Sequence, residues 1–280
     1  MRKRSWIIAL VVALLCTAAG CSAPPAHPEA AAGAPSAVRG EIVVFAAASL
    51  TDAFQDIGRA FEAAHPGTRV TFSFGGSSAL RMQLEQGARA DVFASANEAE
   101  MAKAESGGLL TGKPLIFARN RLVVIVPKDN PAHLKTLHDL AKPGVRLVTA
   151  ADGVPIAAYT QDLLRRLSRD PQYGSDFVQR VNANVVSREQ DVRQIVLKVS
   201  LGEADAAVAY ATDVTPDVAG KVRTVEVPGA FNVLAAYPLA VLKTAPNPAG
   251  AEAFARFVLG PDGQSALKKW GFLPAPESSP

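Results

Sequence analysis

Apolar positions along this chain change period repeatedly, and each change marks a strand running into a helix. Ile42 to Phe45 is apolar without alternation, as in a strand covered on both faces of a parallel sheet. From Leu50 the period becomes helical, with Leu50, Ala53, Phe54, Ile57, Ala60 and Phe61 on one face. Between them, Ala46 to Ala48 are small enough to let a ligand approach the backbone. Ser49 is expected as the helix N-cap, where first-turn amides have no intrahelical partner. A strand's carboxyl end beside a helix N-terminus favours an anion, yet the same residues suit an ordinary β–α junction.

The arrangement recurs. Arg69 to Phe74 alternates as a strand and breaks at Gly75-Gly76-Ser77-Ser78 before a helix carrying Leu80 and Leu84. Ala90 to Ala96 predicts a short strand, Glu98 to Ser106 a helix, and Leu115 to Arg119 and Arg121 to Pro127 further strands. Pro131 to Leu140 predicts a loop and helix, and Val145 to Thr149 a strand from which the β–α pattern restarts. Pro155 suits a first helical turn ahead of Ile156, Leu163, Leu164 and Leu167. Ser187 to Val192 opens another helix, with Val192, Ile195, Val196 and Val199 on one face. Ala206 to Tyr210 is a small-residue strand whose terminal Tyr210 falls where open α/β sheets collect ligand groups. Its phenol also suits a packed strand rim. Val222 to Val227 and Ala235 to Leu242 are expected strands, and Ala249 to Leu259 and Pro261 to Lys269 C-terminal helices. Two α/β lobes with a cleft between them satisfy this order.

Charge and cysteine content narrow the setting. Lys and Arg number 29 against 26 Asp and Glu, and Arg2, Lys3 and Arg4 account for the excess. The remainder is neutral, which gives no support to a nucleic-acid partner. Those three cations precede the apolar run Trp6 to Leu15, too short to span a bilayer comfortably, and then Ala18-Ala19-Gly20-Cys21. The segment resembles a bacterial lipoprotein signal, with Ala18 where that pattern most often has Leu. It implies a signal peptide over 1–20, lipid attachment at Cys21, and an exported protein anchored to the outer face of the cell membrane. A plain cleaved signal is the alternative. The only cysteines are Cys16 and Cys21, so the body beyond them has no disulfide or thiol chemistry. Residues 21–40, rich in Ala and Pro, suit a flexible tether.

Catalytic patterns are missing. His27, His65, His133 and His138 do not cluster, so no cationic metal site is expected. There is no G-x-S-x-G elbow, no phosphate-binding G-x-x-x-x-G-K-[ST] loop and no dinucleotide fingerprint. Asp91, at a strand end, suits a structural role. What remains is a set of neutral donors at helix starts. At about 1.5–3 kcal/mol per hydrogen bond to a charged group, five to seven of them supply about 8–20 kcal/mol before entropy costs. Micromolar to nanomolar binding requires about 8–12 kcal/mol.

The segments Phe45–Leu50 (FAAASL), Phe74–Leu80 (FGGSSAL), Ala90–Ala96 (ADVFASA), Gln190–Arg193 (QDVR) and Ala207–Asp213 (AVAYATD) resemble the molybdate-binding proteins of bacterial ABC importers. The resemblance covers residues 41–274. It implies a two-lobe periplasmic-binding-protein fold, each lobe a mostly parallel sheet flanked by helices, with the ligand in the cleft. One lobe would span 41–118 and 234–280, the other 119–233. The implied contacts are the hydroxyls and amides of Ser49 and Ser77, the amides of Ile156 and Val192, and the Tyr210 hydroxyl. Ile156 replaces the family's usual Ala, which a backbone donor tolerates, although its bulk is expected to reshape the pocket. The ligand would be molybdate or tungstate, carried to the permease subunits of an ABC transporter by a monomeric protein with no cofactor and no enzymatic activity. A receptor for another anion, such as sulfate, phosphonate or an organic acid, is one alternative. An exported serine hydrolase using Ser49 or Ser77 is another.

Overall fold

The computed structural model describes residues 38–275, so Cys21, the signal-like segment and most of the tether lie outside the described residues. The apolar run Ile42–Phe45 lies within β1 (Gly40–Ala47), which pairs in parallel with β2 (Thr68–Gly75) on one side and β3 (Val92–Ala94) on the other. A strand flanked on both edges and covered on both faces has no solvated side, hence its lack of alternation. Helices α1 (Thr51–Ala64), α2 (Ser77–Glu85) and α3 (Glu98–Ser106) link these strands. Phe54 and Phe61 of α1 are fully buried, Phe54 packing 5.5 Å from the Phe117 ring and both packing against Phe254. Burial of each such side chain contributes about 1.5–3 kcal/mol.

The chain then runs through β4 (Leu110–Asn120) and, one residue later, β5 (Leu122–Pro127), which belongs to a different sheet. The second lobe follows as β6 (Leu147–Ala150), α4 (Pro155–Ser168), α5 (Phe177–Ala183) and β7 (Val185–Glu189). It ends with α6 (Val192–Ser200), β8 (Ala207–Tyr210), α7 (Pro216–Ala219) and β9 (Val222–Val225). The chain returns as β10 (Ala235–Leu242), then α8 (Pro248–Leu259), α9 (Pro261–Lys269) and β11 (Leu273–Pro274). Strand order in the first lobe is β11-β4-β10-β3-β1-β2, and in the second β8-β5-β9 and β6-β7, joined by a parallel bridge from Leu147 to Ala206.

The sheets are mixed, which corrects the expectation of mostly parallel ones. Among the described residues, parallel pairing is limited to β2-β1-β3, β7-β6 and the Leu147–Ala206 bridge, whereas β10, β4, β11, β5, β8 and β9 pair antiparallel. The cause is the crossing between lobes. β4 and β10 leave and re-enter one sheet at its lobe boundary, with Ala235 opposite Asn120, so they must run in opposite senses. Asn232 ties the two crossings, accepting from the Leu122 amide (3.0 Å) and donating to the Leu122 carbonyl (2.9 Å).

Several elements differ from the sequence expectations. Ser187 to Glu189 extends as β7, and the helix begins at Val192 with Asp191 as its cap. The helices α5 and α7 and the strand β11 have no counterpart in those expectations. The expected helix after Pro131 is a short 3-10 segment, Leu137–Ala141. Asp91 is structural as expected, accepting from the amides of Val43 (2.8 Å) and Asn247 (2.6 Å).

Candidate functional site

Four helical starts converge on one small cavity between the lobes. Ala47, Ala48, Ser49, Gly75, Gly76, Ser77 and Ala96 line it from the first lobe, and Val154, Pro155, Ile156, Asp191, Val192 and Tyr210 from the second. All five anion-contact candidates therefore lie on the same cavity. The space is small, about 20 Å³ open to the centre of a water-sized sphere, which suits one small ion.

Each wall is built locally. Beyond β1 the chain tightens into a 3-10 turn, Ala48–Leu50, before α1 begins at Thr51. Ser49 sits within that turn and not at the helix cap. The position before α1 is Leu50, and no side chain caps it. The Ser49 hydroxyl instead lies 3.0 Å from the phenol oxygen of Tyr237, so it is engaged sideways and cannot turn back onto the helix amides. Ser77 is the first residue of α2, after Gly76 at the cap, and its hydroxyl accepts from the Ala96 amide at 3.0 Å. That bond leaves the Ser77 proton free to donate. Ile156 is second in α4 and Val192 first in α6, positions whose amides have no intrahelical acceptor. Helix dipoles from α2, α4 and α6 add positive potential at the same place.

Tyr210 closes the cavity from the end of β8. It is 1 % exposed, and its hydroxyl makes no well-formed hydrogen bond to a described residue, although the Tyr237 phenol stands beside it. Its ring packs edge-on against Tyr159 (6.3 Å) and Tyr237 (5.7 Å). Burial holds the phenols of Tyr210 and Tyr237 well above their ordinary pKa and raises that of Tyr159 to about 12. They are donors at any physiological pH.

Among the described residues no Lys or Arg lines the cavity, and the one carboxylate on it is occupied. Asp191 caps α6, accepting from the Gln194 amide (3.1 Å) and side chain (2.9 Å). Arg193, the next cation, reaches across the gap instead. It donates to the Ala48 carbonyl (3.2 Å), pairs with Asp52, and stands 3.8 Å from the buried carboxylate of Asp213. Tyr237 and Arg193 were not legible as parts of the site, whereas Gly75 and Gly76 were, as the turn ahead of Ser77. The sole sequence signal for Tyr237 is a hydroxyl in an otherwise apolar strand.

A cage of neutral donors can hold an anion, and among the described lining residues it presents no nucleophile–base pair for acyl transfer. Comparison with known proteins agrees. Residues 42–273 match the family model for bacterial extracellular solute-binding proteins. The molybdate-binding protein ModA of Mycobacterium tuberculosis is 40% identical over 266 residues, 95% of either chain. Among solved structures, the periplasmic molybdate-binding protein of Azotobacter vinelandii superposes with a TM-score of 0.71 at 20% identity, covering 84% of this chain and all of that one. The sulfate-binding protein SubI of M. tuberculosis reaches 0.77 at 23% identity, covering 86% of this chain and 88% of its own. At those identities the two structures speak for the two-lobe fold. The length and identity of the ModA match, together with the family model, show that this chain is a solute-binding protein and not an enzyme, and that it belongs to the bacterial extracellular solute-binding protein family.

Proposed function

We propose that this protein captures molybdate, and tungstate with it, outside the cytoplasm and delivers it to the permease of an ABC importer. The observation that carries the reading is the Tyr210 hydroxyl, buried and without a partner at the wall of a cavity lined by neutral donors. An unpaired buried hydroxyl costs about 1–3 kcal/mol, which a bound oxyanion would recover. Ser49 and Ser77 supply hydroxyls and amides, Ile156 and Val192 amides, and Tyr210 its phenol. A tetrahedral dianion accepts at every oxygen and needs no donor of its own. Phosphate, carrying a proton near neutrality, needs an acceptor, and the one carboxylate on the lining is already engaged by Gln194. Identity to ModA proteins supports molybdate over sulfate as the cargo.

In this reading the lobes are 41–118 with 234–280 and 119–233, a division supported by which sheet each strand joins. The protein works as a monomer held at the outer membrane face by a lipid on Cys21, with residues 1–20 removed and the following segment as a tether. Calorimetry on the mature protein with molybdate, tungstate, sulfate and phosphate tests the cargo. Heat is expected from the first two at micromolar affinity or tighter. Heat from sulfate or phosphate alone overturns the reading.

A further inference from the structure

Ser49 and Tyr210 face the cavity from different lobes, yet both rest on one residue that does not line it. Tyr237, on β10, is fully buried, and its phenol oxygen is 3.0 Å from Ser49 Oγ. Its ring lies 5.7 Å from that of Tyr210 at 66°, and 5.4 Å from Phe272 and 6.3 Å from Phe117, both nearly perpendicular. β10 runs between β3 and β4, hydrogen-bonded on both edges. Neither the backbone nor the ring of Tyr237 has room to swing away.

We propose that Tyr237 is a positioning residue for anion capture: its phenol donates to Ser49 Oγ, which turns the Ser49 proton into the cavity. The pair shares one contact and either oxygen can donate. If Ser49 donated to Tyr237, its lone pairs would face the ligand and repel an anion. A phenol is the more acidic hydroxyl and the better donor, and an anion in the cavity pulls the same way, so the chain runs Tyr237 to Ser49 to oxyanion. Burial keeps the phenol protonated throughout. The ring beside Tyr210 meanwhile limits the tilt of the second hydroxyl, so one side chain sets the aim of donors from both walls. This inference rests on Ser49 as a ligand contact, and the test separates the two.

Molybdate affinity is measured by calorimetry for the wild type, Ser49→Ala, Tyr237→Phe and the double variant. Ser49→Ala is expected to bind about tenfold more weakly or worse, and Tyr237→Phe about three- to tenfold more weakly. The double variant is expected to bind no more weakly than Ser49→Ala alone, because Tyr237 acts through the hydroxyl already removed. Additive losses, or wild-type affinity in Tyr237→Phe, overturn the positioning role while leaving Ser49 a contact. Wild-type affinity in Ser49→Ala overturns Ser49 as a contact and the inference with it. Should Tyr237→Phe fold poorly, 3-fluorotyrosine at position 237 reads the same bond. The stronger donor is expected to tighten binding, and unchanged affinity counts against the proposal.

Discussion

Closure of the two walls on the ion depends on a hydrogen atom at Gly76. This residue caps α2 with φ −63° and ψ 132°, a conformation open to any L-residue, so alanine carries no backbone strain there. Its Cα faces the second lobe, and a Cβ would overlap the carbonyl oxygen of Gln190, just before the cap of α6. Carbon normally approaches a carbonyl oxygen no closer than ~3.3 Å, so the walls must part by roughly 1 Å. The obstacle is backbone and cannot rotate out of the way. A hydrogen bond of about 2.8 Å from the Ile156 or Val192 amide then stretches to about 3.8 Å, beyond useful range. Loss of two bonds to a charged group costs about 3–6 kcal/mol, or roughly 10²- to 10⁴-fold in affinity. Tilting of the lobes reduces this, and tenfold is the least expected. The unliganded protein, free to open, is expected to be unchanged or up to about 1 kcal/mol more stable, because alanine restricts the unfolded chain. Calorimetry with molybdate and thermal unfolding of the free protein make the test. Gly76→Ala with affinity within threefold of wild type would show that the walls do not close as the geometry requires.

Two further outcomes follow from buried polar groups near the cavity. Tyr210→Phe removes a hydroxyl that the free protein leaves unpaired, so unfolding of the unliganded variant is expected to need about 1 kcal/mol more while molybdate binding weakens about tenfold. A parallel drop in both quantities refutes it. Asp213 is fully buried, and desolvation raises its carboxyl pKa from 3.8 to about 7 against the pull of Arg193 and the Tyr210 amide. The folded protein therefore holds this proton where the unfolded chain has lost it, and the contribution to stability falls as pH rises from about 4 to 7. Asp213→Asn keeps the acceptor for the Tyr210 amide and does not titrate. Relative to wild type it is expected to gain stability across that window, by up to ~4 kcal/mol at pH 7 and above. Urea unfolding of both proteins at intervals from pH 4 to 8 reads the difference, and a difference independent of pH defeats the argument.

The Ile156 amide was legible because a helix start marked by a proline is a local property. Val192 was not, since the apolar period opened its helix at Ser187, where the chain is still a strand, and only the resemblance pointed to that amide. The two-lobe fold was legible for a similar reason, since the β–α pattern restarts near residue 145. Strand direction was not, because β10 returns to a sheet its chain left over a hundred residues earlier. The orientation of the Ser49 hydroxyl was misread for the same cause. Its partner, Tyr237, is 188 residues away, and a local cap was the only alternative the sequence offered. Ion choice lies on the non-local side of this divide. In this reading spacing between the walls depends on Gly76 meeting Gln190, and donor polarity on Tyr237 meeting Ser49, pairings that no single motif contains. Two proteins sharing this fold can thus carry the same helix starts and prefer different oxyanions. The discriminating residues then include ones that make no hydrogen bond to the ion themselves, Gly76 on the wall and Tyr237 behind it, and substitution there is expected to shift preference by moving or re-aiming the donors.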